Sequence, residues 1–402
     1  MSSIIRYIQN ILLYGIVLLM AVSYHPVIVS ASRGAGLESG TLLSRYILIL
    51  FVALFVVSLP LMPRIRPRLL VSSVIWLFVI FFVGIFVSAI YNKHEMLSDL
   101  RSIAIVIASI LVGWTVRVSR RQLSFILFIF GLTALFSGLS QVFSNIGGFQ
   151  IEDQYLVDSK NSLGAMLATA GVAFLFLWKN LSIKTLRSVS LVCAIVGLVV
   201  IVTIRARSAL LAVMIVSVIY IYYFSKNRRN TVMTFIFIAM ALSALILIPS
   251  DINEYLYNSI FSGTQADDVS SGRIGVYEAA LQFLSQNILV GNIENNHHLP
   301  WIHNYLLLNL YEYGVFFSWP ILCFYFYLLI HSIKYLIRTK VGFQYIGYTI
   351  VLIPYVISML EPTFPFGPGT VTVINFILLG MTERARCTQQ VIQINENSTN
   401  IQ

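Results

Sequence analysis

Three short stretches of the chain carry side chains of the types that bind phosphate and move protons. Arg205 and Arg207 lie in a tight turn between two apolar blocks, and Arg273 opens an amphipathic segment. His303 is followed by Asn304 just before another apolar block. A guanidinium group donates paired hydrogen bonds to phosphate oxygens, and a histidine accepts or donates a proton near neutral pH. These residue types predict chemistry on a phosphate-bearing substrate.

A structural interpretation of the same residues stays open. Arginines at helix ends often extend to lipid phosphates, which would account for Arg205 and Arg207. An interfacial histidine such as His303 is often simply hydrogen bonded to a neighbour. The dipole disfavours a cation at the start of a helix, so Arg273 is better explained by an anion site formed with the free amides there. Its alternative is pairing with one of three nearby acids, which are Asp267, Asp268 and Glu278.

The residues around His303 also raise the question of a metal site, because Glu294, His297 and His298 lie close to it in the sequence. The adjacent histidines lack the i, i+4 spacing of a helical zinc site, and no cysteine lies nearby. The chain has no P-loop and no glycine-rich dinucleotide motif. We therefore expect neither a metal nor a nucleotide cofactor.

The elements that position these residues follow from the composition. Hydrophobic residues make up 58% of the 402 residues and charged residues only 10%, whereas soluble domains have roughly 25% charged residues. The apolar residues fall in blocks that can cross a bilayer as helices, each of which satisfies its own backbone amides. The sequence thus predicts an all-α polytopic membrane protein with one membrane domain, residues 1–402, and about 12 transmembrane helices.

The predicted spans cover residues 8–30, 46–62, 69–91, 102–116, 123–144, 163–178, 188–204, 208–224, 231–249, 314–333, 343–360 and 370–382. The block at 102–116 is short, as in a tilted or partly re-entrant segment. The first span is expected to be retained rather than cleaved as a signal peptide, because Pro26 interrupts it and no soluble domain follows.

Basic residues predict the orientation of these helices. With the N-terminus inside, the cytoplasmic connections hold 18 of the 26 lysines and arginines but only two acids, Glu383 and Glu396. The outer face then receives 8 basic and 14 acidic residues, so both termini are expected in the cytoplasm. The net charge of +10 reflects these loops, and no nucleic-acid partner is expected.

One long hydrophilic loop, residues 250–302, lies on the predicted outer face, and a short polar tail, residues 384–402, lies inside. Within the loop, apolar residues recur at helical spacing between Ser271, a candidate N-cap, and Gly291, a candidate helix end. They are Ile274, Tyr277, Leu281, Leu284 and Ile288. This pattern predicts an amphipathic helix that lies on the membrane surface or covers a cavity.

Four stretches, in this order and topology, resemble motifs of the bacterial O-antigen ligase and polymerase superfamily. They are Lys160-Asn161-Ser162-Leu163-Gly164, Arg207-Ser208-Ala209-Leu210-Leu211, Ser271-Gly272-Arg273 with Tyr277, Ala280 and Leu281, and His303-Asn304-Tyr305-Leu306 with Glu312 and Gly314. The resemblance covers residues 160–320. Two positions depart from the pattern: Ala206 stands where the family usually has Ser or Thr, and Trp301 stands where ligases often have a second histidine.

The resemblance implies a metal-independent glycosyltransferase of the bacterial inner membrane that works on its periplasmic face. The donor would be an oligosaccharide on undecaprenyl diphosphate, and the acceptor another glycan or lipid A-core. Arg207 and Arg273 would bind the diphosphate and stabilise its charge as it leaves. His303 would orient or deprotonate the acceptor hydroxyl, or bind a phosphate itself. The remaining expected contacts with diphosphate or glycan are Arg205, Lys160, Asn161, Asn304 and Tyr305.

Three activities remain open within this interpretation. His303-Asn304-Tyr305-Leu306 is closer to the polymerase branch, which would join repeat units into O-antigen, capsule or exopolysaccharide. A ligase would instead transfer the finished glycan to lipid A-core. A transporter or flippase would be expected to carry charged residues in mid-span, but the predicted spans are almost free of charge. Membrane lipids and other polysaccharide-assembly proteins of the membrane are the expected partners.

Overall fold

The computed structural model describes residues 2–29, 42–62, 68–91, 95–146, 154–204, 206–224, 273–294, 297, 299, 302–338, 346–367 and 371–399. Within these ranges the regular structure is helical and contains no strand. The predicted ninth span, residues 231–249, lies outside the described residues, as do Arg205 and the first part of the long loop, residues 250–272.

The helices in chain order are α1 (Ser2–Val22), α2 (Leu42–Ser58), α3 (Arg68–Tyr91), α4 (Glu95–Thr115), α5 (Arg120–Ile146), α6 (Gln154–Asn180), α7 (Lys184–Thr203), α8 (Arg207–Phe224), α9 (Arg273–Asn287), α10 (Tyr305–Arg338), α11 (Ile346–Ile350), α12 (Leu352–Ser358) and α13 (Val373–Thr399). In the described part of the chain, eight helices are long and apolar enough to cross a membrane, namely α1 to α7 and α10. Helix α8 and the α11–α12 segment are apolar but shorter. The prediction of an all-α membrane protein is confirmed for these residues.

Helix α4 corrects the prediction of a short fourth span. The helix begins at Glu95 rather than near residue 102, and its candidate span, Met96–Thr115, is 20 residues long. The predicted block was too short because Asp99 and Arg101 interrupt the apolar pattern in the first two turns. The apolar face continues through them, since Met96 and Ile103 are fully buried.

Helix α6 forms the centre of the bundle. In its candidate span 78% of the residues are buried, against 22% for α2 at the periphery. The helix packs against α5, α7 and α8, and it meets them with small side chains that include Ala165, Ala168 and Ala173. Small residues let membrane helices approach closely, which substitutes for the missing hydrophobic driving force between them. The stretch that begins at Lys160 therefore lies in the most buried of the eight long apolar helices of the described chain.

Helices α4 and α13 approach each other until their backbones touch. A Cβ atom on Gly113 would lie 2.0 Å from the carbonyl oxygen of Ile377, and one on Gly380 would lie 2.1 Å from that of Ile110. Any larger residue at either position would force the helices apart. The pair of glycines thus fixes the last long helix of the chain against α4.

The segment that leads to the end of α12 is a broken helix. Pro354 has no backbone N–H, so it cannot bond to the carbonyl of Ile350 four residues earlier. The side chain of Asn375 donates to that carbonyl instead, at 3.2 Å, and also to the hydroxyl of Thr169 at 3.1 Å. Because irregular backbone in a membrane must be satisfied by protein, Asn375 holds the break between α11 and α12 in place.

Residues that the charge count assigned to the same face lie together. Gln9 in α1 donates to Ser58 at the end of α2 and to Thr115 at the end of α4, both at 2.8 Å. Arg120 at the start of α5 donates to the carbonyl of Asn180 at the end of α6. We call the end of the bundle that holds these contacts the arginine-rich end, because Arg6, Arg120 and Arg384 lie there. The long loop is attached at the other end.

Candidate functional site

A helix, α9, lies where the sequence predicts the amphipathic segment, and it begins at Arg273. Ala280 and Leu284 are its buried residues, and Ala280 packs with Ile302 and Tyr311. Three of the five predicted apolar positions are instead exposed, namely Ile274 (59%), Leu281 (59%) and Ile288 (55%). Since these three lie seven residues apart, they form one apolar stripe, as expected for a helix resting on a membrane surface.

The end of α9 is fastened to a break in α10. Gly314 interrupts α10 with φ 60°, and Gly291 after α9 has φ 65°. The freed backbone groups bond to the segment after α9: Val315 N–H donates to the carbonyl of Ile288 at 2.8 Å, and Phe316 N–H donates to that of Leu289 at 2.9 Å. Both glycines are required, because a Cβ on Gly291 would lie 2.4 Å from the nitrogen of Gly314.

A carboxylate that the motifs did not single out lies between Arg273 and His303. Arg273 donates through Nη1 to the carbonyl of Leu360 at 3.0 Å, and its Nη2 lies 3.4 Å from Glu361 Oε1. His303 Nδ1 lies 3.9 Å from Glu361 Oε2, which is an ion-pair distance rather than a hydrogen bond. Glu361 is only 7% exposed. The three side chains therefore form one cluster, built from α9, the start of α10 and the turn after α12.

The backbone of His303 is fixed by a hydrogen bond, while one ring nitrogen is buried without a hydrogen-bond partner among the described residues. The hydroxyl of Tyr277 donates to the carbonyl oxygen of His303 at 2.7 Å. His303 Nδ1 is buried and makes no hydrogen bond within the described part of the chain. Burial raises the pKa of the Tyr277 hydroxyl, Arg273 opposes this and Glu361 adds to it. Tyr277 therefore stays protonated at neutral pH and remains a donor to His303.

Asn304 and Tyr305 have structural roles in this geometry. Asn304 Oδ1 accepts the backbone N–H of Leu307 at 2.9 Å and so caps α10, while Nδ2 donates to the carbonyl of Met359 at 3.0 Å. Tyr305 is 3% exposed and its ring stacks on Tyr325 at 5.8 Å. The predicted role of both residues in binding substrate stays a prediction, and their contacts explain how the start of α10 is fixed beside Glu361.

The two earlier motifs lie next to each other. A Cβ atom on Gly164 in α6 would lie 2.5 Å from the Cβ of Ala206, so the first turns of α6 touch the turn that leads into α8. Arg207 is half-buried as the first residue of α8, and Asn161 is half-buried on α6. Helix α8 packs against α12, which leads to Glu361. The side chain of Lys160 and all of Arg205 lie outside the described residues.

His297 makes contacts with the segment after α9 and with α10. Its ring nitrogen Nδ1 lies 3.1 Å from the hydroxyl of Tyr311, and its ring packs against Phe283. The backbone N–H of His297 donates to Asn292 Oδ1 at 3.0 Å. In the ranges that the structure covers, no three His, Cys, Asp or Glu side chains are grouped so as to hold a metal ion.

Sequence reasoning found Arg273 and His303 but missed their shared partner. It offered Asp267, Asp268 and Glu278 as partners of Arg273; the two aspartates lie outside the described residues, and Glu278 is exposed on α9. The signal for Glu361 was its place directly after an apolar block, on the predicted outer face. An acid at a span end is a weak signal by itself, because only the folded chain brings positions 273 and 361 together.

No protein-family model matches this chain, and no curated protein matches it. The function is therefore argued from the cluster and from the motifs that carry the resemblance.

Proposed function

We propose that this protein is a membrane glycosyltransferase that polymerises oligosaccharide repeat units carried on undecaprenyl diphosphate, at the periplasmic face of a bacterial inner membrane. The observation that carries the proposal is the cluster of Arg273, His303 and Glu361. The three residues come from separate parts of the sequence, and the charge count assigns all of them to the outer face.

Transfer of a glycan from a lipid diphosphate needs a group that accepts a proton, a group that stabilises the charge of the leaving diphosphate, and a group that orients the base. The acceptor hydroxyl oxygen forms a bond to the anomeric carbon, while the bond from that carbon to the diphosphate oxygen breaks. The hydroxyl proton passes to His303, and the electron pair leaves with the diphosphate. Arg273, with Arg207, stabilises the negative charge that develops on the leaving group. No step in this scheme requires a metal ion.

Glu361 orients the base in this scheme. In the structure it neutralises Arg273, and it faces His303 Nδ1 at 3.9 Å. When phosphate oxygens engage the guanidinium of Arg273, the carboxylate is released to accept a hydrogen bond from Nδ1–H. That tautomer leaves Nε2 as the acceptor for the hydroxyl proton, which is how a carboxylate commonly positions a catalytic histidine.

The topology that belongs to this proposal has twelve spans with both termini in the cytoplasm. It places the ninth span at residues 231–249 and counts α8, the α11–α12 segment and the apolar part of α13 as further crossings. Loop 250–302 then lies in the periplasm. A flippase is less well supported, since the ion pairs that the structure describes lie at the ends of the bundle, around Glu361 and Glu383.

In vitro transfer with a defined lipid-linked repeat tests the function, with and without a lipid A-core acceptor. Purified protein should lengthen the lipid-linked glycan without the lipid A-core acceptor, and Arg273→Ala or His303→Ala should abolish this while inserting normally. Arg187→Ala, an exposed arginine on α7, is the control and should leave transfer unchanged. Transfer only to lipid A-core would assign the chain as a ligase, and wild-type activity of both site variants would refute the site.

A further inference from the structure

Arginines from three helices converge at the arginine-rich end, where α4 ends. Arg384 on α13 donates through Nη1 to the carbonyl oxygens of Trp114 and Thr115, both at 2.8 Å. Carbonyls at a helix C-terminus lack intrahelical donors, so a cation is well placed there. Arg117 follows two residues later, and it is exposed. The end of α4 thus places Arg117 and Arg384 close together.

Helix α1 brings a third arginine to the same place. Gln9 donates to the hydroxyl of Thr115 at 2.8 Å, and Arg6 lies one helical turn before Gln9 on the same side of α1. Burial first, and then the positive charges of Arg117 and Arg6, lower the pKa of the Arg384 guanidinium to about 10. Arg6 and Arg117 are therefore both close enough to Arg384 to repel its guanidinium group.

No carboxylate balances these charges within the described chain. Glu383 is adjacent to Arg384 on α13 but faces the other way, where it accepts hydrogen bonds from Tyr348 and Arg386 and pairs with His331 at 2.6 Å. Arg384 uses Nη1 for both carbonyls, and a guanidinium has three more N–H bonds on Nη2 and Nε. Three cations with spare donors and no described acid make a site for an anion.

An apolar groove runs into the membrane beside this site. It lies between α1 and α5, has a volume of about 240 Å³, and is lined in part by Gly15, where an added Cβ would have no neighbour within 4 Å. Its lining residues are Tyr14, Gly15, Val17, Leu18, Phe125, Ile126 and Ile129. These α1 positions are eight to twelve residues beyond Arg6, or about 12–18 Å along the helix. One leaflet has a hydrocarbon depth of about 15 Å.

We propose that this end of the protein binds one anionic phospholipid, with the headgroup phosphate on Arg6, Arg117 and Arg384 and an acyl chain in the groove. A headgroup of net negative charge fits because the site offers only cations. A zwitterionic headgroup would bring its own ammonium group against them. The lipid would join α1, α4 and α13, which otherwise meet here through the hydrogen bonds of Gln9 and Arg384. The proposal is independent of the transferase activity.

Native mass spectrometry of the full chain tests the binding, with dioleoyl phosphatidylglycerol and dioleoyl phosphatidylcholine as paired probes. Wild-type protein should retain one phosphatidylglycerol at detergent activation that removes phosphatidylcholine, and its melting temperature should rise with phosphatidylglycerol only. Inorganic phosphate at the same concentration should produce no shift. An equal shift with inorganic phosphate would show a free-anion site and refute the lipid assignment.

Variants separate this site from general attraction to a basic surface. Arg6→Gln combined with Arg117→Gln should weaken phosphatidylglycerol retention by about tenfold or more, since two phosphate contacts are lost. Arg187→Gln combined with Arg338→Gln removes the same charge from exposed positions on α7 and α10 and should have little effect. Equal losses in the two double variants would refute the proposal.

A third variant tests the groove without touching charge. Gly15→Leu should fill the open space between α1 and α5, and it should reduce phosphatidylglycerol retention while the arginines stay in place. Gly15→Leu also tests lipid binding if the arginine variants fail to fold. Unchanged retention of phosphatidylglycerol in Gly15→Leu would refute the acyl-chain part of the proposal.

Discussion

At the scale of single residues, the carboxylate of Glu361 faces both Arg273 and His303. The carboxylate is 7% exposed and lies 3.4 Å from Arg273 Nη2 and 3.9 Å from His303 Nδ1. A buried carboxylate without these partners would be costly, so the three residues depend on one another. The proposed transferase uses that dependence, because phosphate binding at Arg273 changes what Glu361 does at His303.

Glu361→Gln tests this coupling. The amide keeps the size of the side chain but removes the charge, so we expect kcat for glycan transfer to fall by about tenfold to a hundredfold with a smaller change in KM. Glu361→Asp should recover part of the loss, because it restores the carboxylate. Glu278→Gln on the exposed side of α9 is the matched control. Equal activity of Glu361→Gln and the control would exclude a positioning role for Glu361.

The arginine pair before α8 gives a second prediction at this scale. Arg207 is the first residue of α8, beside the turn that touches α6. Arg207→Ala should therefore lower transfer far more than Arg205→Ala, with the difference measured as kcat/KM on the same lipid-linked repeat. The reverse order would mean that Arg205 takes the role that the motif assigns to Arg207.

At the scale of elements, the position of Arg273 depends on how α9 is attached. Arg273 and Tyr277 lie on α9, and the segment after α9 is bonded to the break of α10 at Gly314. The start of α10 is in turn fixed by the cap and tether of Asn304. These backbone bonds, the contacts of Asn304 and the hydrogen bond from Tyr277 to the carbonyl of His303 together set the distance between Arg273 and His303.

Gly314→Ala tests the attachment. Gly314 has φ 60° and ψ 178°, a backbone region that is essentially restricted to glycine, so alanine there costs about 1–3 kcal/mol. Its Cβ would also lie 2.4 Å from the carbonyl oxygen of Leu289. We expect a lower melting temperature and a large loss of transfer. Gly275→Ala is the control, because it is inside α9 with open space around it and a negative φ. A wild-type melting temperature for Gly314→Ala would contradict the described attachment.

Local patterns predicted the elements better than the contacts between them. The blocks that became α5, α7 and α8 are continuous apolar runs bounded by charges, so their limits were placed within a few residues. The breaks at Gly314 and Val351 were not predicted: the sequence places Gly314 at the start of a span, and Pro354 lies within the predicted span 343–360. The groups that satisfy these breaks are distant in the sequence. The pairing of Glu361 with Arg273 spans 88 residues and was missed for the same reason.

At the scale of the whole molecule, the two ends of the bundle carry different chemistry. One end holds the cluster around Glu361, and the other holds the proposed lipid site and the buried carboxylate of Glu383. This separation is what a protein needs if one face handles substrate and the opposite face is anchored to the charged surface of the membrane.

Thiol labelling tests the orientation. In a background with Cys323→Ser and Cys387→Ser, which removes the two cysteines that are not buried, a cysteine is introduced at Ser285 or at Arg187. A membrane-impermeant maleimide added to spheroplasts should label Ser285→Cys. It should label Arg187→Cys only after the membrane is opened. The opposite pattern would invert the proposed topology and place the cluster in the cytoplasm.

The attachment of α9 to α10 depends on backbone atoms rather than on particular side chains. The bonds between residues 288–289 and α10 are made by backbone atoms, and the side chains of Ile288, Leu289 and Val290 point outward, with 55%, 65% and 42% exposure. Any apolar residue serves at these positions as long as the two glycines remain. Substitutions among apolar residues at 288–290 should therefore leave Arg273 in place, whereas substitution of either glycine should displace it.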